Sequence, residues 1–206
     1  MLIVGAKGHA LEVLQCLTVV EREQVVFFDD VTLTQSSHVL GIYQILHTYA
    51  EVKDYLTGHD SRFILGLGNT RARRHLALKF QACGGILTSI IAANAVVGPF
   101  ATVGAGANFM QHTLVAPMVT VGEGVLLNAG ASVHHDSIIG DYCHISPGAR
   151  ILGRCRLGSG CQVGAMAVIL PDVTIGDNAV IGAGAVVTRP VPAGATFIGV
   201  PARRVG

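Results

Sequence analysis

The chain has 206 residues, 13% of them charged, with 14 Lys and Arg against 13 Asp and Glu and a formal net charge of +1. That balance, with no basic stripe interleaved with aromatics, argues against nucleic acid as a partner, and the length suffices to bury a sizeable core. The five cysteines, Cys16, Cys83, Cys143, Cys155 and Cys161, are odd in number and show no CxxC spacing, which predicts reduced thiols used as small packing residues.

The opening stretch MLIVGAKGHALEVLQCL reads as a short apolar strand, a glycine turn and a helix whose Leu11, Leu14 and Leu17 share one face. It has no basic n-region, and Gly5, Gly8 and His9 interrupt the apolar run, so no signal peptide is expected and the default location is the cytoplasm. VVFFDD reads as a second strand ending in Asp29 and Asp30, and FILGLGNTRARRHLALKF repeats strand, glycine turn and helix, the helix now basic. Alternating β and α predicts a small parallel, Rossmann-like sheet over residues 1–86. Its GAKGH loop, residues 5–9, falls short of the GxGxxG fingerprint of dinucleotide sites. A glycine turn opening a helix still suits a phosphate, with Lys7 nearby, and an acid ending the second strand about 20 residues on suits a ribose hydroxyl. The alternative is that the glycines serve only a tight turn and the aspartates end a strand.

Between Lys79 and Glu123 lie 43 residues without a formal charge, but Gly, Asn, Thr, Gln, His and Pro break the window and it holds no run of about 18 apolar residues, so no membrane span is expected. From Ile90 the chain divides into six-residue blocks without a slip: VVGPFA at 96–101, TVGAGA at 102–107, and onward to VVTRPV at 186–191. The second residue of every block, from Ile91 and Val97 to Ile181 and Val187, is apolar, and the sixth is small. A period of six fits neither a helix nor a plain strand alternation and predicts a hexapeptide β-solenoid over residues 87–206, one short strand and one corner per block. The aliphatic is expected to fill the interior, the small residue to sit where the corner is tight, and the glycine after the aliphatic to permit the turn. Cys143, Cys155 and Cys161 all occupy the sixth position.

The segment SVHHDSIIGDYCHISPGA, residues 132–149, holds three of the nine histidines. An imidazole is suited to taking a proton at neutral pH, and an adjacent carboxylate can fix its tautomer, so His135 followed by Asp136 reads as an acid/base pair. A bland surface histidine is the alternative. Tandem blocks of this kind resemble the left-handed β-helix acyltransferases, and the resemblance implies a left-handed parallel β-helix with three blocks in each eighteen-residue coil. On that coil Gly153 lies one turn beyond His135, about 4.8 Å away, where its N–H could serve as an oxyanion donor to a thioester carbonyl. No two of His112, His134, His135 and His144 share a coil position, so one subunit is not expected to assemble a three-ligand zinc site, and no metal is expected.

The whole chain is similar to the sugar acetyltransferases of the sialic-acid and bacillosamine type, through GAKGH at 5–9, FFDD at 27–30, GNTRAR at 68–73 and GVPAR at 199–203. The resemblance implies acetyl transfer from acetyl-CoA to the amine of a nucleotide-linked amino sugar, for bacterial surface-glycan synthesis, in a homotrimer with the acyl-donor site between neighbours. It makes His135 the general base with Asp136 behind it, Gly153 the oxyanion donor, and Asn128 part of the catalytic set. It puts His144, Gly153, Pro201 and Arg203 on the acetyl-CoA, and Gly8, His9, Asp29, Asp30, Asn69 and Arg73 on the nucleotide-sugar. Two departures from the family pattern appear: His134 replaces an acid before the base, and Ser137 replaces a cysteine after Asp136. A protonated His134 would lower the basicity of His135. Cys143, at a buried small position, is not expected to act as a nucleophile. Rival readings are a sialic-acid-type O-acetyltransferase, a trimeric zinc protein of the carbonic anhydrase kind, and a purely structural solenoid; the varied outward residues argue against the last.

Overall fold

The computed structural model describes residues 1–32 and 37–205. Two compact units divide after Ile90.

The first unit alternates strand and helix: β1 (Leu2–Val4), α1 (Gly8–Cys16), α2 (Val19–Arg22), β2 (Val26–Phe28), β3 (His38–Val39), β4 (Tyr43–Leu46), α3 (Tyr49–Gly58), β5 (Arg62–Leu65), α4 (Thr70–Ala82) and β6 (Ile86–Leu87). The strand order is β3-β4-β2-β1-β5-β6, parallel throughout except for the hairpin of β3 with β4. Apolar runs such as Leu2-Ile3-Val4 are buried on both faces, the pattern of a parallel sheet covered by helices. Phe28, Phe63 and Phe80 form the centre, with Phe80 at 5.0 Å from Phe28 and 5.4 Å from Phe63 between ring centroids. In α1 the buried stripe is Ala10, Val13 and Leu14, continued by Leu17 just past the helix; Leu11, expected on that face, is only half-buried. Two capping boxes, Thr18 with Glu21 and Thr48 with Glu51, start α2 and α3, elements that the glycine and strand signals did not announce.

From Ile91 the chain winds into a left-handed parallel β-helix. Up to the last coil each two-residue strand pairs in parallel with the strand eighteen residues on, as in the run Asn108, Leu126, His144, Gln162, Val180, and there the step shortens, Val180 pairing with Thr196. Successive strands fall into three sheets in rotation, which makes the cross-section a triangle. Second-position side chains from Phe109 to Val187 fill the interior, and replacing one of them by Ala removes roughly 2–5 kcal/mol of packing. Ile91 and Val97, in the same pattern, are 44% and 39% exposed, because the first coil has no earlier coil to rest on. An antiparallel pair, Thr196–Ile198 with Arg203–Val205, ends the stack.

The corners correct one expectation. The residue with positive φ is the fifth of the block, not the glycine after the aliphatic: Phe100, His112, Met118, Asp136, Tyr142, Arg154, Met166, Asp172 and Asn178 all lie between 52° and 65°. The third-position glycines answer a different need. A Cβ at Gly98 would stand 2.7 Å from Pro117 N, and one at Gly140 2.6 Å from Gly158 C, so these positions are glycine because the next coil's backbone occupies the space.

Candidate active site

One corner of the prism gathers three of the four catalytic candidates, His135, Asp136 and Gly153. His135 is the fourth residue of its block and Asp136 the fifth, and the left-handed conformation at Asp136, with φ of 60°, turns its carboxylate back toward the ring. Nδ1 of His135 lies 2.8 Å from Asp136 Oδ2. An ionised Asp136 only accepts, so Nδ1 carries the proton and Nε2 presents its lone pair. Both side chains are about half exposed, at 54% and 52%.

The ring lies against the next coil at Gly153. A Cβ built there would come within 2.6 Å of Nε2 and 2.7 Å of Cε1, so the imidazole occupies the space that any other residue's side chain would need. The fourth-position N–H points out of the ladder at every corner. Proline removes it at 99, 117, 147 and 171, a carboxylate one coil on accepts it at two corners, Asp141 from Glu123 and Asp177 from Ser159, and at Ala129 the preceding Asn128 side chain does. Among the described residues the Gly153 N–H makes no hydrogen bond.

Charges alternate up the same edge. Asp136, Arg154 and Asp172 are the fifth residues of successive coils, and Arg154 grips Asp172 with two bonds of 2.7 and 2.8 Å. The Arg154 guanidinium, and at greater range His135, hold the Asp172 carboxyl below its usual pKa. The eighteen-residue coil that the family resemblance implies puts these three fifth-position residues one above another. Below it, Ser137 is fully buried and joins the His135 corner to the Gly153 corner.

His134 points elsewhere, with Nε2 at 3.4 Å from Ser132 Oγ. Burial, then the charges of Arg150 and His135, pushes its pKa below the ordinary histidine value. It is therefore neutral at pH 7 and puts no like charge beside the base. Cys143 is fully buried and donates from Sγ to Gly158 O at 3.0 Å, and the neighbouring Cys161 sulfur together with burial pushes its thiol pKa up. A thiol in that state is a poor nucleophile.

Asn128 and His144 belong to a different corner. His144 lies on a strand of another sheet than Ser132–Val133, and Asn128, in the turn after the strand Leu126–Leu127, accepts the Ala129 N–H at 2.8 Å. Within one chain they are not brought to His135. Pro201, after a cis peptide bond, and Arg203, whose Nη1 donates to Ala202 O, are both exposed at the last coil.

In the first unit two glycine loops interlock. Gly5, with φ of 106°, leaves no room for a Cβ beside Gly66 O, and Gly66 is equally tight against Ala10. Gly8 opens α1, and a Cβ there would meet nothing within 4 Å. His9 Nδ1 bonds Glu12 at 2.9 Å, while Nε2 is buried with no hydrogen-bond partner among the described residues. Burial outweighs the Glu12 bond and lowers its pKa. Burial alone would raise Asp29, but N–H donors from Val31 and Thr32 prevail and keep its pKa low. Asp30 accepts from Tyr49 OH at 3.2 Å. Asn69 caps α4 by accepting from Ala72 N–H at 2.9 Å. Arg73 is fully buried, and its Nη1 donates to Leu65 O and Leu67 O, so its guanidinium braces the Gly66–Gly68 loop. That bracing role was not visible in the sequence, where a basic residue in a glycine-rich segment reads as a ligand group.

Among the described residues, no group of three or more His, Cys, Asp or Glu side chains gathers to hold a metal, and no helix is long and apolar enough to cross a membrane.

A triangular hexapeptide prism with a carboxylate-oriented imidazole on one edge, preceded by a parallel α/β sheet, defines a hexapeptide-repeat transferase. Residues 118–153 and 154–189 match the bacterial transferase hexapeptide (six repeats) model, and residues 1–80 match the PglD N-terminal domain model. The structure is similar to PerB from Caulobacter crescentus, solved in complex with CoA and GDP-perosamine, at 31% identity and a TM-score of 0.90, covering 100% of this chain and 96% of that one. It is similar to the acetyltransferase domain of PglB from Neisseria gonorrhoeae at 30% identity and 0.90, covering 99% and 98%, and to WeeI from Acinetobacter baumannii at 28% and 0.88, with the same coverage. A comparison with curated protein sequences gives no match. The chain belongs to the hexapeptide-repeat nucleotide-sugar acetyltransferases and is an acyltransferase of that family.

Proposed function

We propose that the protein moves the acetyl group of acetyl-CoA onto the amine of a nucleotide-linked amino sugar, with His135 as general base. The observation that carries this reading is the His135 ring, oriented by Asp136, lying over a glycine whose N–H makes no hydrogen bond among the described residues. The amine attacks the thioester carbonyl, a C–N bond forms, and Nε2 of His135 takes the proton. The Gly153 N–H steadies the oxyanion of the tetrahedral intermediate. The C–S bond then breaks, and the coenzyme A thiolate leaves with the proton that His135 returns.

Amine over hydroxyl as acceptor is favoured by the relative named as a GDP-perosamine N-acetyl transferase. The first unit is the place for the nucleotide-sugar. Gly8 leaves the start of α1 open to a phosphate, Asp29 is ionised for a ribose hydroxyl, and the buried Nε2 of His9 awaits a polar partner. Asp30 lines the same strand end, while Asn69 and Arg73 hold the neighbouring loop in shape. The long arm of acetyl-CoA runs from Gly153 toward Pro201 and Arg203. Because Asn128 and His144 stand at another corner from His135, a homotrimer completes the site by setting those two residues of one copy beside the His135 edge of the next. The free thiols among the described residues fit a reducing, cytoplasmic setting, and the N-acetylated nucleotide-sugar suits surface-glycan assembly.

A thiol-release assay with acetyl-CoA across UDP- and GDP-linked amino sugars, with hydroxyl analogues in parallel, tests the reading. His135→Ala is expected to lose at least about a hundredfold in kcat. Unimpaired turnover in that variant, or release with the hydroxyl analogues alone, overturns the base or the acceptor assignment respectively.

A further inference from the structure

Ser137 occupies the sixth position of the block that carries His135, and it is fully buried. Its Oγ donates to Leu152 O at 3.0 Å, accepts from Cys155 N–H at 3.1 Å, and stands 3.5 Å from His135 O. Leu152 and Cys155 bracket Gly153 and Arg154. One hydroxyl therefore fastens the turn bearing the imidazole to both sides of the turn beneath it.

The placement within this corner is selective. Through the regular coils its sixth positions are Ala101, Val119, Ser137, Cys155 and Val173, before the last coil shortens and sets Val191 beside Ile175. Only the two coils that hold His135 and Gly153 carry a side chain able to hydrogen-bond there. Cys155 makes the corresponding tie one coil on, from Sγ to Leu170 O at 3.1 Å, and Cys143 and Cys161 make it at another corner, to Gly158 O and Gly176 O. Sulfur thus serves the same fifteen-residue step, with a weaker donor and acceptor.

The ring and Gly153 tolerate little change in separation, since the ring already fills the place of a Cβ. A shift of a fraction of an ångström in the His135 turn changes both the aim of Nε2 and the approach to the Gly153 N–H. We propose that Ser137 is a positioning residue for acetyl transfer, setting the height of the His135 imidazole over Gly153 through its pair of hydrogen bonds to Leu152 and Cys155. The proposal rests on the reading of His135 as the base.

Steady-state kinetics of Ser137→Ala, Ser137→Cys and Ser137→Val, run beside His135→Ala, test it. Ser137→Ala is expected to lose about tenfold in kcat, the cost of a modest misplacement, with both KM values within about twofold of the parent. Ser137→Cys restores most of that loss, because a thiol makes the same bond elsewhere in the prism. A staple of stability alone would lower the melting temperature and leave kcat per folded molecule unchanged, and that result overturns the proposal. Loss confined to KM overturns it too. Should the alanine variant fail to fold, Ser137→Val decides, since Val119 and Val173 show that this corner accepts valine; parental kcat in that variant refutes the positioning role. If His135→Ala turns over normally, the reading of the base falls instead, whatever the serine variants do.

Discussion

In the β-helix each turn rests on the turn eighteen residues earlier, so Gly153 meets His135 and Arg154 meets Asp172 by arithmetic. In the first unit Gly5 meets Gly66, and Phe28 meets Phe80, across stretches of chain with no fixed relation. The contrast teaches where a glycine is expendable for folding. At Gly5 the crowding atom is backbone and φ is left-handed, so the fold itself needs the glycine. At Gly153 the backbone is unstrained and the crowding group is the ring of His135, so there the requirement lies with the site.

Gly153→Ala is the sharpest way to break that comparison. The prism is expected to fold with a parental circular dichroism spectrum, while the displaced imidazole costs on the order of a hundredfold in kcat. Parental kcat in a folded Gly153→Ala variant removes the argument that the ring and this glycine work as a unit.

The first unit is expected to act on binding more than on chemistry. Its His9, kept neutral by partial burial, has Nδ1 engaged by Glu12 and Nε2 buried with no partner among the described residues. His9→Ala should raise KM for the nucleotide-sugar about tenfold, with KM for acetyl-CoA and kcat nearly unchanged, the mark of a uniform-binding contact. A fall in kcat with both KM values steady would move His9 into the chemical step and erase the division of labour between the units.

How far the sequence exposes each unit follows from the same difference. Once the resemblance supplies eighteen residues per coil, the coil register, the buried cysteines and the His135, Asp136 and Gly153 cluster are readable, because each residue's neighbour then lies at a constant offset. The left-handed fifth position is not, since Phe100, Met118 and Arg154 do not advertise positive φ; the corner imposes it and the stacked coils repay the strain. Helix α3 and the β3-β4 hairpin have glycines, Gly58 at the helix end and Gly41 in the turn with φ of 69°, but no strong apolar periodicity, so the sequence pattern does not mark them. Arg73 shows the remaining limit. Its type and spacing fit a ligand group, yet whether a guanidinium meets solvent or two backbone carbonyls depends on how α4 lies on the loop after β5.

His134 gives the smallest effect and the finest test of the corner's electrostatics. Its partial burial, and after it the charge of the neighbouring Arg150, depress its pKa, so near pH 7 it is uncharged, and it gains its proton only below the ordinary histidine value. While neutral, it adds no charge beside His135, and kcat of His134→Ala at pH 7 should stay within about twofold of the parent. Below that range the protonated ring would oppose protonation of His135 and hold the base active to slightly lower pH. Removing it should therefore shift the acid limb of the pH–kcat profile toward higher pH, by no more than about 0.3 unit. A larger shift, or one toward lower pH, would mean that His134 is charged or hydrogen-bonded to the base during turnover. In that case the departure from an acidic residue at this position tunes the chemistry directly.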